Sequence, residues 1–283
     1  MRGPRWRQAG LTLVELLVGM ALMGIVLAAL VAYFSQSGRV STQSSTRAEL
    51  QQEVLNAQQL IAGKLKEAWY VYPPGFALSL SASASGNPPT LQNPVTGNKN
   101  WTVGTHPILA MILPPESGTA PYRFLAYYPV KRSVWVGGTA ATSWRNPGPD
   151  DSNGDAWVLV EYRANMASPF PPSPPVPPLP PFPPVAVPTV PTNGEANILA
   201  DYIAPTVATT GFTTSTNIYN MFTYATTTWP GSWPAPVPSY VNSVTINLAV
   251  ARQSQGSLLR LPGATGTYSI TVFPANLGRI AVN

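Results

Sequence analysis

The sequence has no cysteine. That excludes a disulfide framework, a thiolate metal centre and a cysteine nucleophile. It has a single histidine, His106, and one imidazole without thiolates leaves little from which to build a zinc site or a Ser-His-Asp triad. No glycine-rich phosphate loop follows a strand-like run. Enzymatic activity and a resident cofactor are therefore not expected. Charge is scarce as well, with 10% Asp, Glu, Lys and Arg against 45% hydrophobic residues. The formal net charge of +5 overstates the basicity, because Arg2, Arg5 and Arg7 sit in the first ten positions. Without them, 13 basic residues face 11 acidic ones. The basic residues that remain are scattered, so the patch or stripe that nucleic-acid binding needs is missing.

What is present begins with RQAGLTLVELLVGMALMGIVLAALVAYF, Arg7 to Phe34. Leu16 to Phe34 gives 19 residues without a charge, enough to cross a membrane as a helix. The arginines before it favour a cytoplasmic amino terminus, and everything after about Ser35 is then exported. An ordinary secretory signal would have an apolar region of roughly 7–15 residues and a small-residue cleavage site. This run is longer and passes into Tyr33-Phe34 instead. Glu15 is the anomaly. A carboxylate in hydrocarbon costs about 2.5–3.5 kcal/mol at a central position, so it calls for a partner or for snorkelling to the nearby interface.

The segment AG/LTLVELLVGMALMGIV resembles the prepilin cleavage and methylation motif of type IV pilins and type II secretion pseudopilins. The pattern is a short basic leader ending in Gly10, then Leu11, Thr12-Leu13, Val14, Glu15 and a long hydrophobic helix. Phenylalanine is commoner than leucine at the position of Leu11. The resemblance implies that a prepilin peptidase cuts between Gly10 and Leu11 on the cytoplasmic side and N-methylates the new amine. It also implies that Glu15 meets the terminal amine of a neighbouring subunit, which offsets the cost of its burial and guides filament assembly. The implied partners are the peptidase, the inner membrane and other pilins or pseudopilins. The implied locations are the bacterial inner membrane with a periplasmic head, and then a pilus or pseudopilus.

Beyond a polar interval, Leu50, Val54, Ala57, Ile61, Leu65 and Ala68 mark one face of an amphipathic helix. No proline occurs between Leu11 and Tyr72, and YPPG at 72–75 supplies a stop. One helix is expected over 11–70, spanning the membrane over 11–34, with a soft spot near Gly38. Thr46-x-x-Glu49 also fits a capping box, so a second helix start there is the alternative. A proline-free first half fits minor pilins and pseudopilins better than many major pilins.

Residues 71–283 then read as a β-rich head. PILAMIL (107–113), YRFLAYYPV (122–130) and AWVLVEYR (156–163) have strand composition. SVTINLAVA puts Val244, Ile246, Leu248 and Val250 on one face, and TYSITVF (267–273) reads as its antiparallel neighbour. The expected fold is α+β, a long helix packed on an antiparallel sheet with long loops. Length and order also resemble the larger minor pilins of the W type and the J-type pseudopilins. Of the 33 prolines, many crowd residues 169–191, a segment that suits a stiff polyproline II loop or a ligand for a proline-recognising partner. WPGSWPAPVPS (229–239) reads as a further surface loop.

Asp150, Asp151, Asn153 and Asp155 surround Gly154 with oxygen ligands at the short spacing Ca²⁺ uses. No glutamate sits where an EF-hand needs one, and a polar turn before the strand at Ala156 accounts for the same residues. Calcium is the alternative, made thinkable by the J-type and G-type pseudopilins. The functional expectation is a minor pilin that enters or primes a type IV pilus, with adhesion, twitching motility or DNA uptake as its possible roles. A J-like secretion pseudopilin is the first alternative. A membrane-anchored exported binding protein that keeps residues 1–10 is the second.

Overall fold

The computed structural model describes residues 12–80, 91–116, 120–138, 146–166, 190–191, 194–205, 220–228, 239–254, 256–263 and 265–277. The leader at 1–10, Leu11, nearly all of the proline-rich 169–191 segment and nearly all of 229–239 lie outside them. Helix α1 runs without interruption over Leu13–Glu67. It passes through Gly38, whose carbonyl accepts a bond from the Thr42 hydroxyl at 3.0 Å. It also passes through Thr46, so no second helix begins there; instead the Ser45 hydroxyl donates to Glu49. The chain forms two compact units, Met1–Glu49 and Leu50–Asn283.

In the first unit, the apolar residues of α1 face outward. Leu13, Met20, Ile25, Val31 and Phe34 are each about two-thirds exposed or more. This stretch is long and apolar enough to cross a membrane. In the second unit the same helix turns amphipathic. Leu50, Val54, Ala57, Ile61, Leu65 and the following Ala68 are all buried, the face that the 3-and-4 spacing marks. The helix stops three residues short of the expected boundary because the chain is drawn into a sheet. Trp69 N–H donates to the Ile112 carbonyl at 2.8 Å, and Tyr70–Val71 forms β1. The stop therefore comes ahead of Pro73.

The head holds two main sheets and a hairpin rather than one sheet. The hairpin pairs β2 (Ala77–Ser79) with β3 (Asn100–Thr102). Strands β4 (Leu109–Leu113), β5 (Arg123–Lys131) and β6 (Trp157–Asn165) coincide with the three apolar runs. Between β5 and β6 lies the short helix α2 (Arg132–Gly137). Strands β7 (Gly194–Ile203), β8 (Phe222–Thr228), β9 (Ser239–Leu248), β10 (Val250–Ser254), β11 (Ser257–Leu261) and β12 (Tyr268–Val272) complete the set. The larger sheet has the order β1-β4-β5-β6-β7-β10-β11, and the smaller has β12-β9-β8. Every strand pair is antiparallel.

The larger sheet packs against more than α1. All five residues of β4 and the seven central residues of β5 are buried, so the larger sheet is covered on both sides. One core joins α1 to Met111, Leu125, Tyr127 and Leu159, and to Val244, Ile246 and Leu248 of the smaller sheet. The opposite face buries Tyr72, Trp101, Phe124, Tyr128, Trp135 and Tyr162 beneath the β2–β3 hairpin. Continuous apolar runs are the mark of strands with no solvated face. Gly194 opens β7 because Tyr162 passes over it; a Cβ built there would lie 2.1 Å from the Tyr162 ring.

Candidate functional site

Of the residues expected to serve processing and docking, Glu15 lies in the first turn of α1. Thr12 immediately precedes the helix, and its side chain and Glu15 close a reciprocal capping box. The Thr12 N–H donates to Glu15 Oε2 at 3.0 Å, and the Thr12 hydroxyl donates to the same oxygen at 2.9 Å. In return the Glu15 N–H donates to Thr12 Oγ1 at 3.3 Å. Two otherwise unpaired donors of the helix start are satisfied in this way. The carboxylate also lies on the positive end of the helix dipole. No ion pair involves Glu15 among the described residues. Gly10 and Leu11 fall outside the described residues, so the bond between them has no geometry here. Thr12 is the residue that reading the sequence overlooked, although TLVE spells the same S/T-x-x-E signal as Thr46–Glu49.

The four candidate calcium ligands are not gathered around one point. Asp151–Asn153 forms a 3-10 turn. The Asn153 amide donates to Asp150 Oδ2 at 2.9 Å and to the Gln253 carbonyl at 3.0 Å, while the Gln253 N–H donates to Asn153 Oδ1 at 2.6 Å. The Tyr202 hydroxyl donates to Asp150 Oδ2 at 3.1 Å. Asp155 faces Lys131 at 3.9 Å. Among the described residues, no three His, Cys, Asp or Glu side chains are grouped so as to hold a metal. The geometry is that of a polar turn docked on β10 by a buried asparagine that mimics a strand pairing.

That turn belongs to a larger polar network at the join of helix and sheet. Arg132 is 2% exposed, and its Nε donates to both oxygens of Asp201 at 3.0 and 3.1 Å. The Asp201 N–H donates to Glu53 Oε1 of α1 at 2.7 Å. Burial raises the pKa of Asp201 above its ordinary value, and the Arg132 guanidinium works against that shift. Burial raises Glu53 likewise. Arg132 and Arg252 both lie over the Tyr202 ring, at 5.1 and 4.6 Å from its centroid. His106 has a structural post: its Nδ1 accepts the Thr102 N–H at 2.7 Å and steadies the β3 turn. Partial burial lowers its pKa.

An apolar, outward-facing helix half, long and apolar enough to cross a membrane, precedes a folded antiparallel head. Residues 7–31 match the family model described as the prokaryotic N-terminal methylation motif. The chain thus carries the amino-terminal signature of the type IV pilin and pseudopilin family. No curated protein and no solved structure matches it. The motif implies processing by a prepilin peptidase and packing against other pilins.

Proposed function

We propose that the chain is a minor-pilin-like subunit that enters or primes a type IV pilus, with its head in the periplasm before extrusion. The observation that carries the reading is Glu15, held at the first turn of an apolar helix and four residues from Leu11. Cleavage after Gly10 frees a cationic amine on Leu11. In an assembled filament the amine of one subunit approaches the Glu15 carboxylate of the next, and pairing in hydrocarbon offsets the desolvation of both. Thr12 occupies Oε2, which leaves Oε1 for the incoming ammonium. The work is packing and docking, without a catalytic step or a cofactor. Adhesion, twitching motility and DNA uptake are the roles open to such a subunit.

A J-like pseudopilin of a type II secretion system is the second reading, and an α1 that runs from Leu13 to Glu67 without a proline suits it as well as it suits a minor pilin. Mass spectrometry of the amino-terminal peptide separates the readings. Methylated Leu11 in sheared surface fibres, at low abundance beside a major subunit, is the expected result. Methylated Leu11 confined to membranes moves the assignment to the pseudopilin. An intact Met1–Gly10 leader leaves an anchored binding protein and removes the filament. Glu15→Ala is expected to be cleaved normally and to enter fibres at least about tenfold less often. Normal incorporation of that variant would end the docking role of Glu15.

A further inference from the structure

The smaller sheet stands in the least charged part of the protein. Residues 202–251 contain no acidic, basic or histidine side chain, the longest such interval in the sequence, and residues 261–278 contain none either. Strands β8, β9 and β12 fall wholly within these two intervals. Their inward residues Val244, Ile246, Leu248 and Val272 are buried. The alternating residues therefore form the outer face. There Thr223, Thr245 and Thr271 stand in register across the three strands. The next row adds Asn247 opposite Ser269.

These side chains are tied to one another along the face. The Thr245 and Thr271 hydroxyls are 2.8 Å apart. The Asn247 amide donates to Thr223 Oγ1 at 3.3 Å, and the Ser269 hydroxyl donates to Asn247 Oδ1 at 2.7 Å. The hydroxyls thus form a row that crosses all three strands. Each hydroxyl has one proton and two lone pairs, so a single bond within the row leaves capacity for an outside partner. Threonine is stiff at χ1, and ordering it on contact costs little. One position beyond Thr271 on the same face is Phe273, 61% exposed.

We propose that this face binds a neutral polysaccharide. A polyanion such as DNA, or an anionic membrane, would find no cation on it. A protein partner would find few of the anchors that dominate such interfaces, since β8, β9 and β12 carry no Trp or Arg. A neutral glycan offers what the face can use: hydroxyls that both donate and accept, and C–H faces that can lie on the Phe273 ring. Binding by neutral groups should be insensitive to salt, because no counterions are released.

The test uses the unassembled full-length chain in detergent, so its outcome is separate from that of the filament reading. Cellulose and amylose are the probes, with duplex DNA and anionic phosphatidylserine vesicles as comparisons. Retention on at least one glucan is expected, equal at 50 and 500 mM salt, a wider range than the roughly 50–200 mM over which DNA binders lose about 10³–10⁵ in affinity. Thr245→Lys and Thr271→Lys should each weaken it about tenfold, with thermal unfolding unchanged. Thr271→Ser should weaken it less than about threefold, since the hydroxyl remains. If a lysine variant fails to fold, Phe273→Ala serves in its place, because that side chain is mostly exposed; a loss of about fivefold is expected. Four results overturn the proposal: no retention on either glucan, equal retention by folded variants, retention by DNA or vesicles instead, or self-association abolished by the lysine changes. The last would make a second copy of the chain the occupant.

Discussion

At the scale of single residues, the most consequential carboxylates are the ones whose partners differ. Glu15 is served by the hydroxyl and N–H of Thr12, whereas Asp201 is served by a buried guanidinium. Removing one partner of a buried ion pair leaves an uncompensated charge, and the cost is about 3–5 kcal/mol. Arg132→Met is therefore expected to lower head stability by that amount in urea titration. Adding Asp201→Asn to Arg132→Met should recover part of the loss, since the orphaned charge is gone. A double variant no more stable than the single would mean that packing of the Arg132 stem, not its charge, carries the effect. His106 gives a pH test. Its pKa in the folded state lies below the ordinary 6.5 because burial disfavours the imidazolium, and protonation also removes the acceptor for Thr102 N–H. Above pH 6.5 the group is neutral in both states. As pH falls through 6.5 the unfolded chain takes up the proton first, so stability declines until the folded pKa is passed. His106→Gln should flatten that decline in unfolding curves measured between pH 7.5 and 5. A decline unchanged in the variant would assign it to other groups.

At the scale of elements, the outcome depended on how much of each element's environment is local. The buried face of α1 was legible because all of its core residues report on one helix, and Ile61 and Leu65 are fully buried as the spacing requires. Ile61→Ala leaves a cavity in that core and should cost about 2–5 kcal/mol. Calorimetry would read this as a lowered midpoint, while the exposed Leu60→Ala should change little. The strands β4, β5 and β6 were legible for a similar reason, since long β-branched and aromatic runs leave few other options. The β9–β12 pairing was also correct, with Val244 opposite Val272. That the larger sheet has two covered faces was not anticipated, because it takes Trp101 and Leu78 of a distant hairpin to cover Phe124 and Tyr128. Of two matching tetrapeptides, the one that caps is Thr12–Glu15, and the alternative helix start at Thr46–Glu49 is not used. A Thr-x-x-Glu caps only where a helix begins, and at Thr46 the helix is already under way. Strands β7, β10 and β11 carry mixed burial, so their alternation is blurred and their partners set their conformation. Asp150, Asp151, Asn153 and Asp155 suit two readings in the sequence because a docked polar turn and a cation loop draw on the same side chains. Only the clamp between Asn153 and Gln253 distinguishes them.

At the scale of the whole molecule, the two units rest on different sources of stability. Residues 13–34 contribute outward-facing apolar side chains and none of the buried core, which begins at Leu50. The helix half before Leu50 thus has no hydrophobic burial of its own in water, and a membrane or neighbouring helices must supply it. The head contains both of its cores and its polar network within Leu50–Asn283. A fragment beginning at Leu50 is therefore expected to fold without the anchor. Its unfolding midpoint should match that of the head in the full-length chain in detergent, and it should remain monomeric in sedimentation. The first turn of the fragment loses the preceding helix, so fraying should be confined to residues before Val54. The same fragment should be absent from the membrane fraction, because the segment able to cross a bilayer has been removed. A molten fragment with retained helix signal but no cooperative transition would show that the first half of α1 stabilises the head as well as anchoring it. In that case a mutation such as Glu15→Ala could not be read as a docking defect until the stability of its head had been measured.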